Sequence, residues 1–523
     1  MEAVDFGILS IIPPILSIIL ALVTREVISS LFIGILSGAT IYAVHTNAGF
    51  LGIFKIIFNL MAHALGKNML IIVFISILGA LIYVITMSGG THAYGKWAAS
   101  KIKSRKNVQL ATAFLGFVMS IDDYFDCLTV GTVMKPISDK HKISRAKFAY
   151  IIDSMAAPVC IIAPMSSWAA SISSCIDSTG LNGMVTFIKT IPYNFYAILT
   201  IILVIILSCT KLDFGPMANF EKNAIETGDI FTTEFRSENE ELSKTEVSKN
   251  GKIIDLVLPI GILMIMSLFM MVETGGFFEG IPLMQALGKG NSGLSITISA
   301  LFALIVSLIM FIPRKLLSFK KFMGGVSKGV ESMVASFIIL ALAWTMSDTC
   351  QELLNTGNYI GDLVEASNIP FMFMPAIIFM ASGFLSLSMG TSWGTFSILI
   401  PIVVMICQKV APDMTVIALS ATLAGSVFGD HCSPISDTMI LSATGAGCSH
   451  IDHVTTQMPY SVFVACISFV GYIVLGITKS FIISLGISSL LLIVCLAFLK
   501  YMKIKGRDLS NIFNKTKKVL EVK

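Results

Sequence analysis

The sequence predicts an all-α polytopic membrane protein: an inverted repeat of transmembrane helices with two re-entrant hairpins and discontinuous helices. Three observations predict it. Of 523 residues, 55% are hydrophobic and only 13% charged, with a mean hydropathy of +0.84. Soluble domains carry about 25% charge, and a soluble fold of this size could not hide so much apolar surface. Apolar windows of about 20 residues, each long enough to cross about 30 Å of hydrocarbon, recur along the chain. Two further stretches, 107–137 and 370–408, are apolar but interrupted by polar residues.

The composition also excludes function classes. A net charge of +4 is too small to indicate a nucleic-acid partner. The ten cysteines are scattered, mostly within apolar segments, with no Cys-x-x-Cys pair, and read as free thiols acting as small hydrophobes. The first stretch, "MEAVDFGILSIIPP", is acidic and lacks a basic leader region, so it reads as a retained helix rather than a cleaved signal. There is no Gly-x-Ser-x-Gly, no His-Glu-x-x-His, no phosphate-cradling loop and no selectivity-filter signature, so neither an enzyme nor a channel is expected.

The apolar spans fall near 6–23, 27–45, 68–88, 146–176, 187–209, 253–273, 293–312, 331–348, 415–441, 457–477 and 481–500. Basic loops orient them. "GKWAASKIKSRK" (95–106) and "KPISDKHKISRAK" (135–147) are both strongly basic and both read as cytoplasmic. Two crossings between them would need about 40 residues, more than 107–134 provides, so this segment reads as a hairpin re-entering from the cytoplasmic side. Segment 370–408 is flanked by the acidic 351–368 and the short "QKVAPDM", and reads as a hairpin from outside, turning at "SLSMGTSWGTF" (386–396).

The two halves resemble each other. "IVFISILGALIYVITMSGG" (72–90) matches "VASFIILALAWTMSDTC" (334–350), and "APMSSW" (163–168) matches "SPISDT" (433–438). Each hairpin ends in Pro-Ile, at Pro136 and Pro401, and "IIPPI" pairs with "LPIGI" (258–262). The charge rule puts corresponding loops on opposite sides, so the repeat is inverted, a transporter architecture. The organisation is then a first half (1–210), a charged cytoplasmic linker (211–252) that reads as a mobile connector, a second half (253–480), and an extra helix with a basic cytoplasmic tail (481–523).

"MSIDDYFDCLTVG" (119–131) places Asp122, Asp123 and Asp126 in an apolar hairpin without Lys or Arg. An ionised group at membrane depth costs several kcal/mol unless paired, hydrated or ion-bound, so a cation or proton is the expected partner. Na⁺ prefers hard oxygens, as Ca²⁺ and Mg²⁺ do. If helical, Asp122 and Asp126 share a face, ahead of Asp123. The second hairpin has no acid at its tip but offers Ser386, Ser388, Thr391, Ser392 and Thr395, with Gly390 and Gly394 to open the backbone, for Na⁺ or a substrate carboxylate. Two proline-interrupted helices follow the hairpins. One carries Asp153; the other carries Asp430, His431, Ser433 and Asp437. Carboxylates here suit exchange of H⁺ for Na⁺, and His431 can titrate as well. Expected Na⁺ ligands are Asp122, Asp126, Asp430 and Asp437. Zinc is set aside, because no second Cys/His cluster completes the Asp430-His431-Cys432 run.

Through "FGDHCSPISDTMILSA" (428–443), "MSIDDYFDCLTVG" and "MGTSWGTF" (389–396), the chain resembles the NhaC-type family of Na⁺/H⁺ antiporters over nearly all of residues 5–480. The resemblance implies secondary transport coupled to Na⁺ and H⁺ in a prokaryotic plasma membrane. By motif it points to Asp122, Asp123, Asp126, Asp153, Ser388, Thr391, Asp430, His431, Ser433 and Asp437. Na⁺- or H⁺-coupled transport of a small organic solute, an amino acid or a carboxylate, stays open beside ion exchange. No cofactor beyond Na⁺ and H⁺ is expected, and analogy with related folds suggests a homodimer.

Overall fold

In a computed structural model, described for residues 6–504 except 25, 92, 95, 96, 98–101, 121, 122, 165, 178, 211, 234–247, 249, 332, 357, 358 and 360–369, the chain is helical throughout, with no strand among the described residues. Asp122 and much of the linker therefore lie outside the described residues.

The first half begins with α1 (Ile12–Thr24), α2 (Val27–His45) and α3 (Gly49–Ser88). The sequence marks an apolar span only at 68–88, but the structure makes one helix of 40 residues, about 60 Å long. No proline interrupts it. Then come α4 (Arg105–Met119), α5 (Asp123–Lys140), α6 (Arg145–Cys160), α7 (Ser167–Asp177), α8 (Gly183–Thr190), α9 (Phe195–Cys209) and the linker helix α10 (Gly215–Glu226). The second half runs through α11 (Ile254–Thr274), α12 (Leu283–Lys289), α13 (Ser292–Phe311), α14 (Phe319–Glu331), α15 (Val334–Asp348), α16 (Met374–Met389), α17 (Ser392–Val410), α18 (Thr415–Asp430), α19 (Asp437–Ala446) and α20 (His450–Thr478), and α21 (Phe481–Ile504) closes the chain. Among the described residues seven helices are long and apolar enough to cross a membrane, or eight if the pair Gly183–Tyr193 and Phe195–Cys209, bent by 49°, is one span.

Breaks fall at matching places in the two halves. Helix α4 has 15 residues, about 22 Å, and α16 has 16, both short of the hydrocarbon thickness. A turn follows each, at Ser120 and at Gly390–Thr391. Gly390 has φ +67°, and a Cβ there would collide with the Ile435 carbonyl. The next helix in each half breaks after Cys160 and after Asp430, near Pro164 and Pro434. Serines restart the backbone: Ser166 accepts from the Ala169 N–H at 3.1 Å to open α7, and Ser436 accepts from the Met439 N–H at 3.2 Å to open α19. A further match, absent from the sequence reading, is Pro192-Tyr193 with Pro459-Tyr460, each pair the same distance beyond its capping residue, Asn182 or Ser449.

The helices sort into two bundles by what they touch. One holds α1, α2 and α3 from the first half with α11, α13, α14 and α15 from the second. The other holds the hairpins, the broken helices, α9, α20 and α21. Exchange between halves is reciprocal: α5 packs on α19 while α17 packs on α7, and α2 packs on α15 while α13 packs on α3. Gly131 and Gly445 let α5 and α19 touch backbone to backbone, as small residues do in membrane bundles.

The start of the linker is a docked element and not a free tether. The Glu221 carboxylate, on α10, accepts from Arg105 at 2.6 Å and from the Ser144 backbone N–H at 2.8 Å. Asp213 accepts from the buried Lys147 at 2.6 Å and from the Tyr460 hydroxyl at 2.9 Å, and Thr233 donates to Asp452 at 2.6 Å. Burial, then the neighbouring Asp213, push the Glu221 carboxyl above its ordinary range, while Arg105 pulls the other way.

Candidate functional site

The second broken helix positions two acids, and the second hairpin reaches the first of them. Asp430 is the last residue of α18 and is buried. Its Oδ2 accepts from the Ser392 hydroxyl at 2.9 Å and from the Thr438 hydroxyl at 3.4 Å. Ser392 is the first residue of α17, just past the hairpin turn, and Thr438 lies beyond the helix break, so three separate pieces of backbone meet at one carboxylate. The other oxygen, Oδ1, is buried with no hydrogen-bond partner among the described residues. Such an oxygen carries a full desolvation cost unless a proton or cation meets it.

Asp437 opens α19, where the helix dipole favours an acid. Its Oδ2 accepts from the Tyr124 hydroxyl at 2.5 Å and its Oδ1 from the Thr438 N–H at 2.9 Å. Tyr124 belongs to the first hairpin, so Asp437 joins the two halves.

Asp153, fully buried in α6, is the third acid. Its Oδ1 accepts from Ser442 at 3.1 Å, its Oδ2 from Gln457, and His431 Nε2 lies 3.6 Å from Oδ2. The other ring nitrogen of His431 shares a hydrogen bond with the Tyr196 hydroxyl at 3.1 Å. The Cys127 sulfur lies 3.0 Å from the Ser442 hydroxyl oxygen, which brings the first hairpin to this cluster. Asp123 and Asp126 are buried on that hairpin near Cys127, and Asp126 faces Gly116 of the opposite arm.

Several hydroxyls chosen from sequence are braces. Ser386 donates to the Ser426 carbonyl at 2.6 Å, and Ser433 to the Leu387 carbonyl at 2.8 Å. Ser388 and Thr395 bond back into their own helices, to Phe384 and to Thr391. Thr391 instead lines a cavity of about 360 Å³ that also reaches Asp437, Tyr124, Trp344, Trp393 and Lys67. This cavity lies on the seam between the bundles, with Lys67 and Trp344 from one and Asp437, Tyr124 and Trp393 from the other. Asp348 lines it as well.

Sequence reasoning missed Tyr124, Thr438, Ser442 and Gln457. A signal existed for the last: His450, His453 and Gln457 recur at helical spacing, a polar stripe on an otherwise apolar helix. Both ring nitrogens of the buried His453 lack a hydrogen-bond partner among the described residues.

Fold and site together define a polytopic helical membrane protein whose broken helices meet at buried carboxylates. The sequence profile of the Na⁺/H⁺ antiporter family matches residues 159–477, and the chain belongs to that family. It is 37% identical to an uncharacterized protein of Haemophilus influenzae over 519 residues, 96% of this chain and 97% of that protein. Among solved structures, Neisseria gonorrhoeae MtrF, reported as illuminating a class of antimetabolite efflux pumps, aligns with 81% of this chain and 84% of its own, at 13% identity and a TM-score of 0.33. A likeness that distant supports no statement about this chain.

Proposed function

We propose that this protein is a Na⁺/H⁺ antiporter of a prokaryotic plasma membrane, working by alternating access. The observation that carries the reading is Asp430: a buried carboxylate with one oxygen bonded by Ser392 and Thr438 and the other without a hydrogen-bond partner among the described residues. Na⁺ and H⁺ compete for such a group, because either neutralises it and both cannot. Ser392 and Thr438 supply neutral oxygens beside the acid, a donor set that suits Na⁺. Asp437 and Asp153 are the further exchange sites, with His431 positioning Asp153. Family membership supports the same ions. In this reading Asp123 and Asp126 line the route from the first hairpin, and a homodimer is the working assembly.

Purified protein in vesicles with an imposed pH gradient should show Na⁺-dependent proton flux. Asp430→Asn should abolish it, and Asp437→Asn should reduce it at least tenfold. Absence of flux from the native chain with Na⁺ as the only added solute would overturn the proposal.

A further inference from the structure

The seam cavity is built for more than a bare ion. At about 360 Å³ it falls within the range of organic-ligand pockets. Three aromatic side chains, Tyr124, Trp344 and Trp393, form part of its wall, and Asp437, 3% exposed, stands within. At its mouth Lys67 and Asp348 lie 3.5 Å apart and offset one another, while Glu352, outside the lining, pairs with Lys67 and His63, so Asp437 is the acid left within. The mouth is also shaped by a single π-helical turn, Thr349–Leu353, a geometry common at functional sites. That turn sets the Gln351 amide against Gly394, where a Cβ would displace it. Acid and aromatic faces together select an organic cation, because the rings attract it through their quadrupoles and exclude water from its body.

We infer that this cavity binds a small organic ammonium compound, a protonated amine with an apolar body, with its charged end toward Asp437. The inference rests on Asp437 lying on the transport path, as proposed above. An inorganic cation has no apolar body for the rings to cover, and an organic anion meets the Asp437 carboxylate.

The test is calorimetry on the full purified chain with three probes sharing one body: phenethylammonium, 2-phenylethanol and phenylacetate. Phenethylammonium should bind at least tenfold more tightly than the other two. Trp344→Leu and Asp437→Asn should each weaken it at least tenfold. Ser397→Trp, which fills the cavity from its exposed side, should do the same, and guards against misfolding of the buried variants. Equal affinity for 2-phenylethanol, preference for phenylacetate, or no binding by any probe overturns the inference. The two readings fail separately. Loss of Na⁺-dependent proton flux with ammonium binding intact sinks ion exchange alone, whereas normal flux with silent calorimetry sinks this inference alone.

Discussion

Ser392 donates a hydrogen bond to Asp430 Oδ2 at 2.9 Å, tying the turn of the second hairpin to the end of α18. A hydrogen bond to a charged group contributes about 1.5–3 kcal/mol, so losing it lowers apparent affinity about tenfold or more. Ser392→Ala should therefore raise the Na⁺ concentration for half-maximal proton flux by about that factor. Ser388 bonds only within its own helix, so Ser388→Ala should leave the value near that of the native chain. Equal behaviour of the two variants would remove Ser392 from the site.

Gln457 donates to Asp153 across the packed interface of α20 and α6. Gln457→Leu leaves a fully buried carboxylate short of a donor, at a cost of about 1–3 kcal/mol. Thermal unfolding should show the loss. Adding Asp153→Leu should recover part of it, since a neutral apolar pair needs no donor. Non-additivity in this double-mutant cycle is the expected sign of direct coupling.

The docking of α10 should depend on pH in a defined direction. The docked state holds the Glu221 carboxyl above its ordinary range, chiefly through burial. It therefore binds that proton more tightly than an undocked α10 would. Docking is strongest below the ordinary glutamate range and weakens as pH rises through the elevated value. Hydrogen exchange in 215–226, corrected for its intrinsic pH dependence, should show opening that increases across that window. Glu221→Gln should flatten the dependence.

Gly390→Ala should destabilise the protein by about 1–2 kcal/mol from the left-handed backbone alone, with more from collision at Ile435. Gly66 sits within α3 with nothing within 4 Å of a would-be Cβ. Gly66→Ala should be neutral or stabilising by up to about 1 kcal/mol. Unfolding temperatures of the two variants, measured side by side, check both statements.

Apolar length made the helical membrane class legible, and interruption marked the stretches where short helices fall, because those signals are local. The short arms α4 and α16 fall within the stretches that composition marked. Asp153, Asp430 and Asp437 stood out because acids are expensive in apolar surroundings. Their partners did not. Tyr124 reaches Asp437 across 313 positions of sequence, and Gln457 reaches Asp153 across 304. No local pattern encodes such a pairing, and tyrosine and glutamine are unremarkable residues in a helix. The hydroxyls are hard to read for another reason: a hydroxyl in a membrane helix has a ready backbone acceptor one turn away, and Ser388 and Thr395 take it.

The reciprocal packing of α5 on α19 and α17 on α7 has a mechanical consequence. The duplicated sequence units are not separate bodies, because each lends its broken segments to a common core and its leading helices to a common frame. Severing the chain between residues 233 and 248 would leave two fragments that interlock like clasped hands. Co-expressed, they should assemble into a working carrier, whereas either alone would expose half of every contact the seam requires.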